Sequence, residues 1–232
     1  MSLNHLQISE KFYSIQGEGK TMGAPSIFVR LTGCNLLCKS EKWICDSIEV
    51  WRKGNKVEFK DVFSIEDIIS LENGVHLIFT GGEPLLHQKS IASFLAYLQM
   101  EHNLRPFVEV ETNGTIIPIK ELIFDVNVWN VSPKLTNSGE TFKKRFNVAA
   151  IQQFNKLNTI FKFVISERKD VEEIFDVFGN YIERKKVYLM PAADNQETLY
   201  EKRLEVIEFC KQYILNFTDR LHITTWNKKT GV

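Results

Sequence analysis

A chain of 232 residues can bury a sizeable core, and 44% hydrophobic with 25% charged residues is the balance of a soluble globular protein. Lys plus Arg equals Asp plus Glu at 29 each, which excludes a global field for nucleic acid or an acidic membrane; a partner must be recognised locally. No apolar run approaches the ~20 residues that span a bilayer, and the first residues lack the apolar stretch of a signal peptide, so a cytoplasmic protein is expected.

Taken in chain order, apolar and β-branched runs predict strands over 26–31, 76–79, 107–111, 126–131, 159–165, 186–190 and 221–225. Helical periodicity predicts helices over 64–71, with Ser64 as N-cap, and over 88–101, 170–181 and 199–213. No repeat, low-complexity tract or Pro/Gly-rich linker interrupts them, so residues 1–232 are expected to form one domain. Near-continuous apolar strands alternating with helices imply a parallel α/β sheet built from crossover units. Seven strands against four helices point to an incomplete, partial TIM-like barrel with helices outside.

Polar and glycine motifs recur where those strands end. Thr80-Gly81-Gly82-Glu83-Pro84, Glu111-Thr112-Asn113-Gly114, Ser132-Pro133-Lys134 and Met190-Pro191-Ala192-Ala193-Asp194 each close a predicted strand. Ligands collect at the carboxyl ends of parallel strands, so the repetition implies one shared site. Three of the four cysteines, Cys34, Cys38 and Cys45, lie in the loop after the first predicted strand. In a cytoplasmic chain this clustering argues for metal or redox chemistry over disulfides. Three thiolates can hold three irons of a cubane cluster and leave the fourth iron open to an exchangeable ligand. A zinc site is the alternative, although it needs a fourth ligand or a water, and no Cys or His lies close by in sequence. Cys210 falls in a helical pattern and reads as a buried small hydrophobe. The strand-borne His76 and His222 read as core residues and receive no role.

Cysteines spaced by three and then two residues mark radical S-adenosylmethionine enzymes. This chain resembles that pattern but has six residues between Cys38 and Cys45; the flanking Trp43 and Cys45-Asp46-Ser47 identify 39–42 as a short insertion. The opening Ile15-Gln16-Gly17-Glu18-Gly19, Phe28-Val29-Arg30 before the loop, the strand-end motifs, Leu221-His222 and the tail from Trp226 to Val232 resemble the 7-carboxy-7-deazaguanine synthase family over nearly the whole chain.

That resemblance implies a radical SAM type of fold and the conversion of 6-carboxy-5,6,7,8-tetrahydropterin to 7-carboxy-7-deazaguanine with loss of ammonia. It places Ile15, Gln16, Gly17, Arg30, Thr80 and the terminal carboxylate of Val232 on the pterin. It places Gly82, Glu83, Ser132, Pro133 and Lys134 on S-adenosylmethionine. Cys34, Cys38 and Cys45 would ligate the 4Fe-4S cluster, and Ser47 would hold Mg²⁺. At 224–226 the chain has Thr-Thr-Trp where some members have Gln-Thr-His, a subfamily difference. An electron donor such as flavodoxin or ferredoxin is implied, a homodimer is the expected assembly, and no nucleic-acid or membrane partner is expected. Two rival readings are an activating enzyme that installs a glycyl radical on a partner protein, and a zinc-binding module without radical chemistry.

Overall fold

The computed structural model describes residues 4–41, 44–45, 52–229 and 231. The alternation of buried and polar positions folds into one sheet. Its strands are β1 (His5–Ile15), β2 (Pro25–Leu31), β3 (Asn55–Glu58), β4 (His76–Gly81), β5 (Val108–Thr112), β6 (Val128–Val131), β7 (Thr159–Ile165), β8 (Val187–Pro191) and β9 (Asn216–Phe217). Their spatial order is β3-β1-β2-β4-β5-β6-β7-β8-β9. β1 runs antiparallel to both β2 and β3, and every pair from β2 to β9 is parallel. No pairing joins β9 back to β1 or β3 among the described residues, so the sheet is the expected partial barrel.

Period-two alternation divides each strand between two faces. Leu77 and Phe79, Val108 and Val110, Trp129 and Val131, and Phe161 and Phe163 pack outward into one buried cluster with the helices. Phe79, Phe161 and Phe163 are wholly buried, each worth about 1.5–3 kcal/mol in water-excluded area. The opposite face carries Arg30 beside Thr80 and Glu111 beside Asn130, with Lys162 two residues beyond the partner of Asn130. The outer helices are α1 (Ile65–Glu72), α2 (Gln88–His102), α3 (Lys120–Asp125), α4 (Phe142–Arg145), α5 (Val148–Asn155), α6 (Arg168–Glu173) and α7 (Gln196–Tyr213), with α8 (Leu221–Trp226) near the C-terminus. Ser64 caps α1 reciprocally: its hydroxyl accepts from Asp67 N at 3.2 Å, and the Asp67 carboxylate accepts from Ser64 N at 2.9 Å. Cys210 lies buried in α7, where its thiol donates to Asn216 O. No helix among the described residues is long and apolar enough to cross a membrane.

The strands β1, β3 and β9 and the short helices α3, α4 and α5 are not expected from the sequence, and two expected elements take another form. The segment 221–225 is not a strand but α8. The strand that does pair with β8 is Asn216–Phe217, just upstream, so the edge of β8 is already taken. Leu221 N instead donates to Gly17 O and Thr225 Oγ to Leu221 O, so tertiary context overrides β propensity. The expected helix over 170–181 begins earlier, as α6, and continues through a wider π turn over Ile174–Phe178.

Candidate functional site

The carboxyl ends of the strands enclose a cavity of about 700 Å³. One wall is the cysteine loop after β2. Cys34, Cys38 and Cys45 all face the cavity. Lys39 bridges Ile44, and Cys45 N donates to Cys38 O at 3.1 Å, which sets Cys45 beside Cys38 despite the six residues between them in sequence. Ser40 Oγ donates to Asn137 O at 2.7 Å, which ties the chain after Cys38 to the 136–138 turn. Burial raises the Cys34 thiol to about 11 and raises that of Cys38 also; the nearby Lys134 ammonium opposes both shifts. Leu36 N and the Asn113 amide approach Cys34 Sγ at 3.4 Å and 4.0 Å.

The glycines after β4 hold this loop in place. Gly82 N donates to Leu31 O at 3.3 Å and Glu83 N to Gly33 O at 2.9 Å. A Cβ on Gly82 would lie 2.0 Å from Gly33 O, and one on Gly81 would meet Leu31 backbone equally hard. Here the absence of side chains lets two stretches of backbone meet, whereas the sequence alone suggests an approach to a ligand. Glu83 is likewise turned inward. Its fully buried carboxylate accepts from Thr112 Oγ and Asn113 N, both at 2.7 Å, and from Leu85 N at 3.0 Å. Burial raises its pKa against those bonds, and it stands behind the wall as the brace of β4, β5 and the 112–115 turn. Ser132 and Lys134, after β6, do line the cavity, linked by a 3.0 Å bond from Lys134 Nζ to Ser132 Oγ. Pro133 is buried between them, under the turn.

The other half of the cavity is polar. Ile15, Gln16 and Gly17 leave β1 along its wall. Gln16 is buried, and its amide donates to Glu111 at 3.3 Å; the Thr80 hydroxyl donates to the other oxygen of Glu111 at 2.8 Å. Arg30 faces the cavity from β2, with Nε donating to Glu10 at 3.0 Å and its guanidinium over the Phe12 ring. Ser47 and Val232 lie outside the described residues. His76 bonds the buried Glu109 carboxylate at 2.7 Å beneath the cavity floor. His222, in contrast, is on the cavity wall, in a group that the sequence reading did not connect: Glu18 with Lys162, Arg220 and His222. Burial alone would raise the Glu18 pKa, but the Lys162 and Arg220 cations, with His222 beside them, hold it well below the usual carboxylate range.

The donor set suits a cluster. All three thiols face the one cavity. Three thiolates on three irons, open toward a cavity, are what a cubane with one exchangeable iron requires. A family model for a 4Fe-4S single cluster domain matches residues 15–155, more than half of the chain, and sets the class: a single-cluster iron–sulfur protein. The chain is also 32% identical to a 7-carboxy-7-deazaguanine synthase of Halobacterium salinarum, covering 96% of this chain and 91% of that one. It is 34% identical to a protein of the same name from Pyrobaculum aerophilum, covering 97% of each. A crystal structure of QueE from Escherichia coli shares the fold, with a TM-score of 0.67 and 22% identity over 94% of this chain and 95% of that one. The chain belongs to the 7-carboxy-7-deazaguanine synthase family of radical S-adenosylmethionine enzymes.

Proposed function

We propose that this protein is a carbon–nitrogen lyase that contracts the ring of 6-carboxy-5,6,7,8-tetrahydropterin to 7-carboxy-7-deazaguanine, releasing ammonia. The observation that carries the reading is the junction, in one cavity, of three thiols with a polar pocket holding both a guanidinium and a carboxylate. A carboxy-pterin has complementary groups, an anionic carboxylate and a ring edge of N–H donors. Arg30 is the cation for the carboxylate, and its planar fork matches two oxygens. Glu111, oriented by Thr80 and Gln16, offers an acceptor to the ring edge, and the backbone at 15–17 lines the approach.

Cys34, Cys38 and Cys45 hold the 4Fe-4S cluster, which supplies reductive cleavage of S-adenosylmethionine when loaded. Ser132 and Lys134 face the side of the cavity nearest the thiols and suit the hydroxyls and carboxylate of that cosubstrate. Gly82 lines that wall, Glu83 braces it from behind, and Pro133 fixes the turn between Ser132 and Lys134. Ser47 would hold Mg²⁺ at this site. An external flavodoxin or ferredoxin provides electrons, and the enzyme works as a cytoplasmic homodimer.

The glycyl-radical activase reading has no need of a guanidinium in the cavity; Arg30 on its wall favours the pterin. The test is equilibrium binding to the cluster-loaded protein of 6-carboxy-tetrahydropterin and of tetrahydropterin without the carboxylate. Preference for the carboxylated ligand, lost in Arg30→Ala, supports the assignment; equal affinities for the two ligands contradict it.

A further inference from the structure

The barrel is open, and the segment after β9 spans the opening. The sheet ends at β9 on one side and at β1 and β3 on the other. Residues 218–222 dock on the turn that leaves β1: Gly19 N donates to Thr218 Oγ at 2.7 Å, and Leu221 N donates to Gly17 O at 2.9 Å. The His222 ring fills the space that a side chain on residue 17 would need. Further on, Gly231 lies against the Glu10 carboxylate, which pairs with Arg30. The C-terminal segment is thus a strap from the last strand of the barrel to the first.

One carboxylate ties the strap to both sides. Glu18, on the β1 turn, accepts from Arg220 Nε at 3.0 Å, stands 3.8 Å from His222 Nε2, and forms an ion pair with Lys162 of β7. Arg220 also donates to Ala193 O, after β8. Side-chain exposures of 12% for Glu18, 7% for Lys162 and 10% for Arg220 make these charges dependent on each other rather than on water. The charges are also unequal in their effects. Loss of Glu18 would leave two buried cations facing each other, one on the barrel and one on the strap. Loss of Arg220 would leave a matched Glu18–Lys162 pair and an untied strap.

We propose that Glu18 is a positioning residue for the reaction: through Arg220 and His222 it clasps residues 218–222 across the seam between β9 and β1, and the cavity is sealed around its substrate only while the clasp is made. The proposal rests on the pterin reading for its turnover arm alone. The experiment is amide hydrogen exchange on the cluster-loaded full chain, for the parent, Glu18→Gln and Arg220→Met, alongside pterin turnover and the 5′-deoxyadenosine released per product.

In both variants, exchange over residues 218–226 should accelerate about tenfold or more, while β4, β5 and the iron content stay at parent values. KM for the pterin should rise more than kcat falls, and abortive cosubstrate cleavage should increase. Should Glu18→Gln fail to fold, Arg220→Met decides, because it leaves the Glu18–Lys162 pair whole. Unchanged exchange over 218–226 in Arg220→Met overturns the proposal, as does Glu18→Gln losing turnover with the strap still protected, which would make Glu18 a substrate contact. A parent that failed to convert the pterin would refute the substrate reading and leave the exchange result to judge the clasp.

Discussion

Adding a single methyl group at Gly82 tests whether the end of β4 builds the cysteine loop. Gly82 is not among the positive-φ residues, so alanine there carries no left-handed strain. Its Cβ would, however, lie 2.0 Å from Gly33 O, 2.6 Å from Gly33 C and 2.9 Å from Cys34 Cβ. Restoring ordinary contact requires the loop or the strand end to retreat by roughly 1.5 Å. The bond from Glu83 N to Gly33 O, now 2.9 Å, cannot survive that retreat. A lost bond with a buried donor costs about 1–3 kcal/mol, and the overpacking about 1–3 kcal/mol more. Together they predict a fall in Tm of about 5–20 °C for a chain of this size. Because the displaced atoms include Cys34, iron bound after anaerobic reconstitution should fall by about half or more on the same structural grounds. The assay is iron per chain with thermal unfolding, and Cys210→Ala, altered in α7 away from the loop, is the control. Parent iron content and a Tm within about one degree of the parent would refute the reasoning.

Further outcomes follow from the same geometry. Ala at Cys34, Cys38 or Cys45 should abolish most cluster iron and all S-adenosylmethionine cleavage while Cys210→Ala retains both; iron analysis and product chromatography decide it. Arg30→Ala should weaken carboxy-pterin binding more than Arg30→Lys, which keeps the charge but not the fork, and both should still bind the cluster; titration calorimetry separates the two. Glu18 is held below its ordinary 4.5, so its contribution to stability is full above that value and is lost as pH falls toward the lowered one. Thermal unfolding of Glu18→Gln between about pH 7 and pH 3 should therefore show a shallower acid-side decline than the parent, and an identical decline would contradict the ion-pair assignment. Phe163→Ala removes a wholly buried ring and should cost about 3–5 kcal/mol in denaturant unfolding.

The parallel strands were legible because buried two-sided strands write themselves as near-continuous apolar runs, as Thr159–Ile165 does with Lys162 as its one charged residue. The site was legible where chemistry gathers at strand ends: Thr80, Ser132 and Lys134 meet the three cysteines in one cavity. Local composition misleads where a segment's partner decides its state. Residues 221–225 read as a strand, yet β9 takes the available edge and the Gly17 carbonyl captures Leu221 N. Glu83 reads as a ligand carboxylate, but three donors from residues 85, 112 and 113 converge on it in the interior. The Glu18 clasp joins positions 144 and 202 residues apart in the chain, and no local pattern encodes such a meeting. The insertion over 39–42 lengthens the cysteine spacing in sequence, but the Lys39–Ile44 bridge and the bond from Cys45 N to Cys38 O keep the last two cysteines adjacent.

The most direct test of the account is anaerobic incubation of the reconstituted protein with S-adenosylmethionine, a reductant and 6-carboxy-5,6,7,8-tetrahydropterin, followed by mass spectrometry and ammonia assay. The account predicts 7-carboxy-7-deazaguanine and ammonia in equal amounts, with S-adenosylmethionine conserved. A cluster-loaded protein that cleaves S-adenosylmethionine yet returns the pterin unchanged would contradict it.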